Sequence, residues 1–200
     1  MTEPAIAATS TSTPLATFLA STAKPPKLAE YRCVLTPREL DAASVEIAAL
    51  TSGAALHDLG WMKRVAVRGE DRFRWLSGMV TNTVNDLPPN SGAWNLVLNA
   101  QGRIQGELTV WREDDNLELV LSGDQYDKLL AHFEHFIIMD DVELVPLGQE
   151  PGAEETLIGL TGPQADAVLG RSGLPLIPAR RRLTRRPGSG LPRPRRWRPS

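Results

Sequence analysis

Three groups of side chains have types and spacings that could do chemistry. His57 and Asp58 are adjacent, and an imidazole beside a carboxylate suggests a proton relay. On a strand, however, neighbours point to opposite faces, so a structural role is expected for both. His132 and His135 stand three apart, a helical spacing that can chelate a metal. No third ligand accompanies them, and the intervening Phe133 and Glu134 read as ordinary amphipathic surface. Asp140 and Asp141 precede an apolar run and read as a solvated turn. Cys33 is the single cysteine and lies outside any motif, which excludes an intrachain disulfide and a cysteine-built metal site and leaves an inert thiol as the expectation. No catalytic residue and no metal site is assigned from these groups.

The elements that would position such residues alternate between helical and strand periods. With 42% hydrophobic and 23% charged residues, the 200-residue chain can bury a sizeable core. Residues 1–30, rich in Ala, Ser, Thr and Pro, are expected to form a flexible arm, because so few apolar groups cannot offset the entropy of ordering them. Thr36-Pro37-Arg38-Glu39 has the pattern of a helix start with a capping box, followed by Leu40, Ala43, Ile47 and Leu50 on one face and Gly53 as the stop. A strand over 61–68 then leads past Gly69 into a short helix bearing Phe73, Leu76 and Val80. Residues 93–99, 104–112 and 117–122 read as a three-stranded meander. Ser122 and Asp124 can cap a helix to about residue 136, with Leu129, Leu130, Phe133 and Phe136 or Ile137 facing inward. Strands over 142–145 and 156–161 and a helix over 163–169 complete a mixed α+β pattern, antiparallel sheets with packed helices.

Charge divides the chain unevenly. Residues 180–200 hold nine Arg and no acid; subtracting those nine from the 22 basic residues leaves 13 against 24 acids, a body of −11. Such a body is unsuited to nucleic acid, so RNA contact is expected only if the tail supplies it through phosphates. Apolar periodicity stops after Ile177, and the Arg/Pro-rich composition of 179–200 reads as a disordered tail that an out-of-frame translation of a GC-rich gene would also produce. No apolar run approaches the roughly 18 residues of a membrane span, and Glu3 with no Lys or Arg before Lys24 lacks the basic start of a secretory signal. A cytoplasmic protein that makes no membrane contact is expected.

Six blocks, taken in order, carry a resemblance. They are Leu56-His57-Asp58-Leu59-Gly60-Trp61-Met62, Val67-Arg68-Gly69-Glu70-Asp71-Arg72, Trp75 to Val84, Leu98-Asn99-Ala100-Gln101-Gly102-Arg103-Ile104, Phe136 to Leu144, and Leu160-Thr161-Gly162-Pro163-Gln164-Ala165. Over roughly residues 35–170 the chain resembles the N-terminal part of the glycine-cleavage T-protein, or aminomethyltransferase, superfamily. The resemblance implies the N-terminal folate-binding domain of that fold over residues 31–178, incomplete because the superfamily has further domains around a central folate pocket. The T-protein proper carries paired Asp after its Gly-Gly turn, the first of them essential. Here that position is Gly106, which offers no carboxylate. Glu107 is a conceivable substitute, although strand alternation points it away from the neighbours of Gly106.

The run Asn99 to Ile104 looks like the YgfZ-type branch. That branch implies a folate-binding, non-enzymatic factor in assembly or repair of iron–sulfur clusters, with iron–sulfur client proteins as partners and links to tRNA-modifying enzymes. Its later Lys-Gly-Cys motif is absent here, so a truncated member is expected. Aminomethyl transfer to tetrahydrofolate is the alternative reading, and RNA binding by the basic tail a third. By position in the motifs, the resemblance implies that Met62, Asn82, Trp94 and Ser122 line a tetrahydrofolate pocket, with Glu107 beside them. Each also has a plainer role: core packing for Met62 and Trp94, a turn for Asn82, a helix cap for Ser122.

Overall fold

A computed structural model describes residues 11–149 and 155–173, together with the backbone of Arg182–Leu183. Its centre is a six-stranded sheet ordered β10-β5-β6-β7-β4-β8. The strands are β4 (Met62–Arg68), β5 (Ser91–Leu98), β6 (Ile104–Arg112), β7 (Leu117–Ser122), β8 (Glu143–Leu147) and β10 (Arg182–Leu183). The expected meander is β5-β6-β7, and β4 inserts antiparallel between β7 and β8. Alternation gives the sheet two distinct faces. Val65, Val67, Val97, Leu108, Val110, Leu119 and Leu121 point to one, where they pack on Trp75 and Leu76 of helix α3 (Arg72–Met79) and Leu129 and Phe133 of helix α4 (Tyr126–His135). Each such side chain, fully buried, contributes about 1.5–3 kcal/mol relative to exposure. Of Phe136 and Ile137, one of which is expected to face inward, Ile137 packs against this core, whereas Phe136 just past the end of α4 is 45% exposed and its carbonyl accepts from Trp75 Nε1 at 3.1 Å.

Two smaller layers flank this core. A hairpin of β1 (Leu28–Tyr31) and β2 (Val34–Pro37) turns at Arg32 and Cys33, both at positive φ, as a two-residue hairpin loop demands. Strand β3 (Ala55–Asp58), which follows helix α2 (Ala43–Ser52), pairs antiparallel with β9 (Ile158–Thr161), which precedes helix α5 (Ala165–Arg171). The Gln164 backbone N–H at the start of α5 donates to the Gly53 carbonyl at the end of α2, at 2.9 Å.

Several sequence expectations give way here. Thr36 and Pro37 do not cap a helix: they lie in β2 opposite Ala29 and Leu28, and the ladder outweighs the local capping pattern. Helix α2 begins at Ala43, where the Glu46 carboxylate accepts from the backbone N–H groups of Leu40 and Asp41. No residue of α2 is buried, and Ile47 and Leu50 stand exposed. Within the expected arm, residues 14–20 form α1, with Thr13 as its cap and Ala16 buried; the Thr13 N–H donates to Leu35 O and the Leu35 N–H to Thr11 O, each at 3.0 Å. Residues 1–10 and nearly all of the Arg-rich tail lie outside the described residues.

Asp140 and Asp141 are more than a solvated turn. Asp141 Oδ2 accepts from Glu70 N at 2.8 Å, its own N–H donates to Asp71 Oδ2 at 3.0 Å, and Asp140 pairs with Arg74. Gly69, at φ +100°, permits this approach; a Cβ there would lie 2.0 Å from the Asp141 carbonyl oxygen.

Candidate functional site

The face of the large sheet opposite the core gathers four of the five expected residues. Strand register sets Trp94 against Thr109, Thr109 against Val120, Val120 against Arg64 and Arg64 against Leu147, a single row across five strands. In the next row Leu96 faces Glu107, and Ser122 faces Met62. The register that sets Leu108 against Leu121 places Glu107 beside Ser122. Met62, Ser122 and Glu107 therefore share one row and Trp94 begins its neighbour.

Each residue has a distinct setting. Trp94 is 50% exposed on β5. Asn82, in the loop after α3, lies at the edge of that strand: its backbone N–H donates to Asn95 Oδ1 at 2.7 Å, its amide to the Trp94 carbonyl at 3.4 Å, and its Oδ1 accepts from Thr83 N at 2.9 Å. It thus serves its own turn while touching the Trp94 backbone. Ser122 is buried and donates to Asp124 rather than accepting a helical N–H, so the expected cap is replaced by a hydroxyl–carboxylate contact. Met62 lines a cleft of about 880 Å³ with Phe18, Val34, Arg64 and Leu147. Glu107 is exposed, and its backbone N–H is held by Gln125 Oε1 at 3.0 Å.

Gly106 faces the other way. It is buried against α4, and a Cβ there would lie 2.6 Å from Gln125 Oε1 and 2.8 Å from Leu129 Cδ1. A carboxylate at 106 would enter the core, whereas the one at 107 stands on the face that holds Trp94 and Met62.

Sequence reasoning missed the main charged feature of this face. Arg64 donates through Nε to Glu118 Oε1 at 2.9 Å and through Nη2 to Glu118 Oε2 at 3.1 Å, a two-pronged pair with a carboxylate only 3% exposed. The hydrogen bonds and charge of Glu118, and then of Glu155, raise the Arg64 pKa further. The sequence signal was present, a lone acid inside the apolar strand Leu117–Ser122, but its partner is 54 residues away. Asn95 was also missed; fully buried, it accepts from Asn82 and donates to the Ala93 carbonyl at 3.0 Å.

The groups that first suggested chemistry do other work. Asp58 accepts from the Thr13 hydroxyl and from Gly60 N at 2.9 Å. The rings of His132 and His135 each lie edgewise to Phe136, with centroids 5.1 Å apart. Cys33 is exposed in its hairpin turn.

A mostly antiparallel sheet with two helices on one face and a mix of aromatic, acidic and basic side chains on the other defines an α+β domain. The family described as "GCVT N-terminal domain" matches residues 24–173, and the chain belongs to it. It is similar to the aminomethyltransferase of Desulforamulus reducens, 27% identical over 146 residues that cover 72% of this chain and 39% of that one. The probable aminomethyltransferase of Pyrococcus horikoshii is 31% identical over 88 residues, 44% of this chain and 22% of its own length. The crystal structure of glycine cleavage system aminomethyltransferase T from Bartonella henselae superposes with a TM-score of 0.66 at 25% identity, covering 75% of this chain and 40% of that one. The chain therefore spans about two fifths or less of these relatives. Among the described residues no helix is long and apolar enough to cross a membrane.

Proposed function

We propose that this chain is the folate-binding portion of a one-carbon transfer protein of the aminomethyltransferase type. The observation that carries the reading is that Glu107, Trp94 and Met62 share one face of the sheet in a domain of this family. Folate is a flat pterin with an acidic tail, so its site needs an aromatic wall, polar partners for the ring edge and a cation. The half-exposed indole of Trp94 offers the wall, and Asn82 and Glu107 offer polar groups nearby. Tetrahydrofolate would supply the acceptor nitrogen for the one-carbon unit. The chain's own part is to hold the ring and to place a carboxylate, Glu107, that orients an amine or relays a proton.

This reading favours transfer over the accessory iron–sulfur role, since the relatives above bear the aminomethyltransferase name. The accessory reading keeps one observation in its favour: glycine stands at 106, where the transferase pattern has its essential acid. The two separate in one assay. Incubation with tetrahydrofolate and an aminomethylated carrier should give methylenetetrahydrofolate, and Glu107→Gln should lower the rate by about 10²–10⁴ while tetrahydrofolate still binds. Binding without transfer in the parent chain would return the reading to the accessory factor. No binding would end both.

A further inference from the structure

The row that starts at Trp94 ends at a cation. Trp94, Thr109, Val120 and Arg64 lie on four successive strands, so the indole and the guanidinium are three inter-strand steps apart, about 14 Å. Between them stand the part-exposed Thr109 and, only 9% exposed at the floor of the row, Val120, while the bulkier Trp111 and Glu118 belong to the next row. An extended pterin–aminobenzoyl–glutamate has a matching reach from ring to carboxylate.

We propose that Arg64 is the anchoring site for the glutamate carboxylate of a folate whose pterin rests on Trp94, and that Glu155 holds that position when no ligand is bound. The inference rests on the folate reading above. Glu118 fixes the guanidinium through Nε and Nη2, and the remaining edge, Nη1, donates to Glu155 Oε2. The two carboxylates are not equivalent. Glu118 is buried, so parting it from Arg64 would strand an uncompensated charge; Glu155 is 62% exposed, and a solvated ion pair opens at little cost. A ligand carboxylate can replace Glu155 on Nη1 without changing the charge around the guanidinium. The cleft of about 880 Å³ beside Arg64, which Glu155 also lines, gives the incoming group room.

The test uses calorimetric titration of the whole chain with three probes: tetrahydrofolate, tetrahydropterin as the ring alone, and p-aminobenzoylglutamate as the tail alone. Arg64→Lys, which keeps a cation beside buried Glu118 but removes the Nη1 edge, should weaken tetrahydrofolate and the tail probe about tenfold or more and leave tetrahydropterin unchanged. Glu155→Gln, at an exposed position that preserves the fold, should tighten the two tail-bearing probes and leave tetrahydropterin unchanged. The proposal is overturned if tetrahydrofolate binds and neither variant alters it, or if the variants change ring and tail probes by the same factor; in the first case the folate reading survives. If the tail probe binds through Arg64 while neither pterin probe binds, the carboxylate site stands and the folate reading falls. If no probe binds, both fall.

Discussion

The Thr13 hydroxyl donates to the Asp58 carboxylate, joining residues 45 positions apart. The other Asp58 oxygen accepts from Gly60 N, and Thr13 Oγ1 accepts from Ala16 N at 3.2 Å, so one carboxylate fixes both the β3–β4 turn and the start of α1. Thr13 is buried, and losing its acceptor would leave it unsatisfied. Asp58→Ala is expected to destabilise the fold by about 1–3 kcal/mol. Urea denaturation measures the loss, and hydrogen exchange should place the largest loss of protection in residues 13–20. An unchanged midpoint would mean that the segment is held by its contacts with β2 alone.

Asn95 positions the Asn82 loop from inside the core. Replacing it with Ala removes the acceptor for Asn82 N and should cost about 1–3 kcal/mol. Under the folate reading it should also weaken tetrahydrofolate binding, because Asn82 meets the Trp94 carbonyl through the same turn. A loss of stability with unaltered affinity would remove Asn82 from the site.

Gly106→Asp should not raise one-carbon transfer above that of the parent. The added Cβ alone lies within 3 Å of Gln125 Oε1 and of Leu129 Cδ1, and the carboxylate beyond it would be desolvated against α4. A destabilisation of about 1–3 kcal/mol, with no gain in one-carbon transfer, is expected. A stable variant with increased transfer would show that position 106 reaches the reaction after all.

Acid should loosen the junction between β8 and α3. The Asp141 N–H, and then Arg74, hold the Asp71 carboxyl below the ordinary aspartate range. A carboxyl whose folded value lies below its unfolded value adds stability above the unfolded value, and that contribution disappears as pH falls through the folded one, below about pH 4. Asp71→Asn should therefore flatten the acid limb of a stability-versus-pH curve and change little at neutral pH beyond a constant offset. An acid limb identical to the parent's would assign acid sensitivity to other carboxylates.

How much of this was legible in the sequence depends on the range over which each determinant acts. The meander β5-β6-β7 and helices α3 and α4 could be read because alternation and helical spacing are local, and Val65, Val97, Leu119, Leu129 and Phe133 all reach the core as their periods require. The hairpin at Arg32-Cys33 could not, since neither residue advertises a positive φ as Asn-Gly would, and without it Thr36-Pro37 reads as a helix start. The Arg64–Glu118 pair was hidden because it depends on β4 lying beside β7, a register that no window of sequence encodes. For the site, motif positions picked residues that fall on one face, but their grouping into rows needed the strand order.

That strand order also governs how the chain can assemble. β5, β6 and β7 are joined by short turns and can zip in succession, each contact closing only a small loop. β4 precedes them in the chain, yet both of its neighbours, β7 and β8, come much later in sequence. Capture of residues 62–68 on β7 closes a loop of some fifty residues, whose closure entropy must be met before the ladder rewards it, and this pairing is therefore the expected slow step of folding. Substitutions in β4 should accordingly slow refolding, and those at the tips of the meander turns should leave its rate largely untouched.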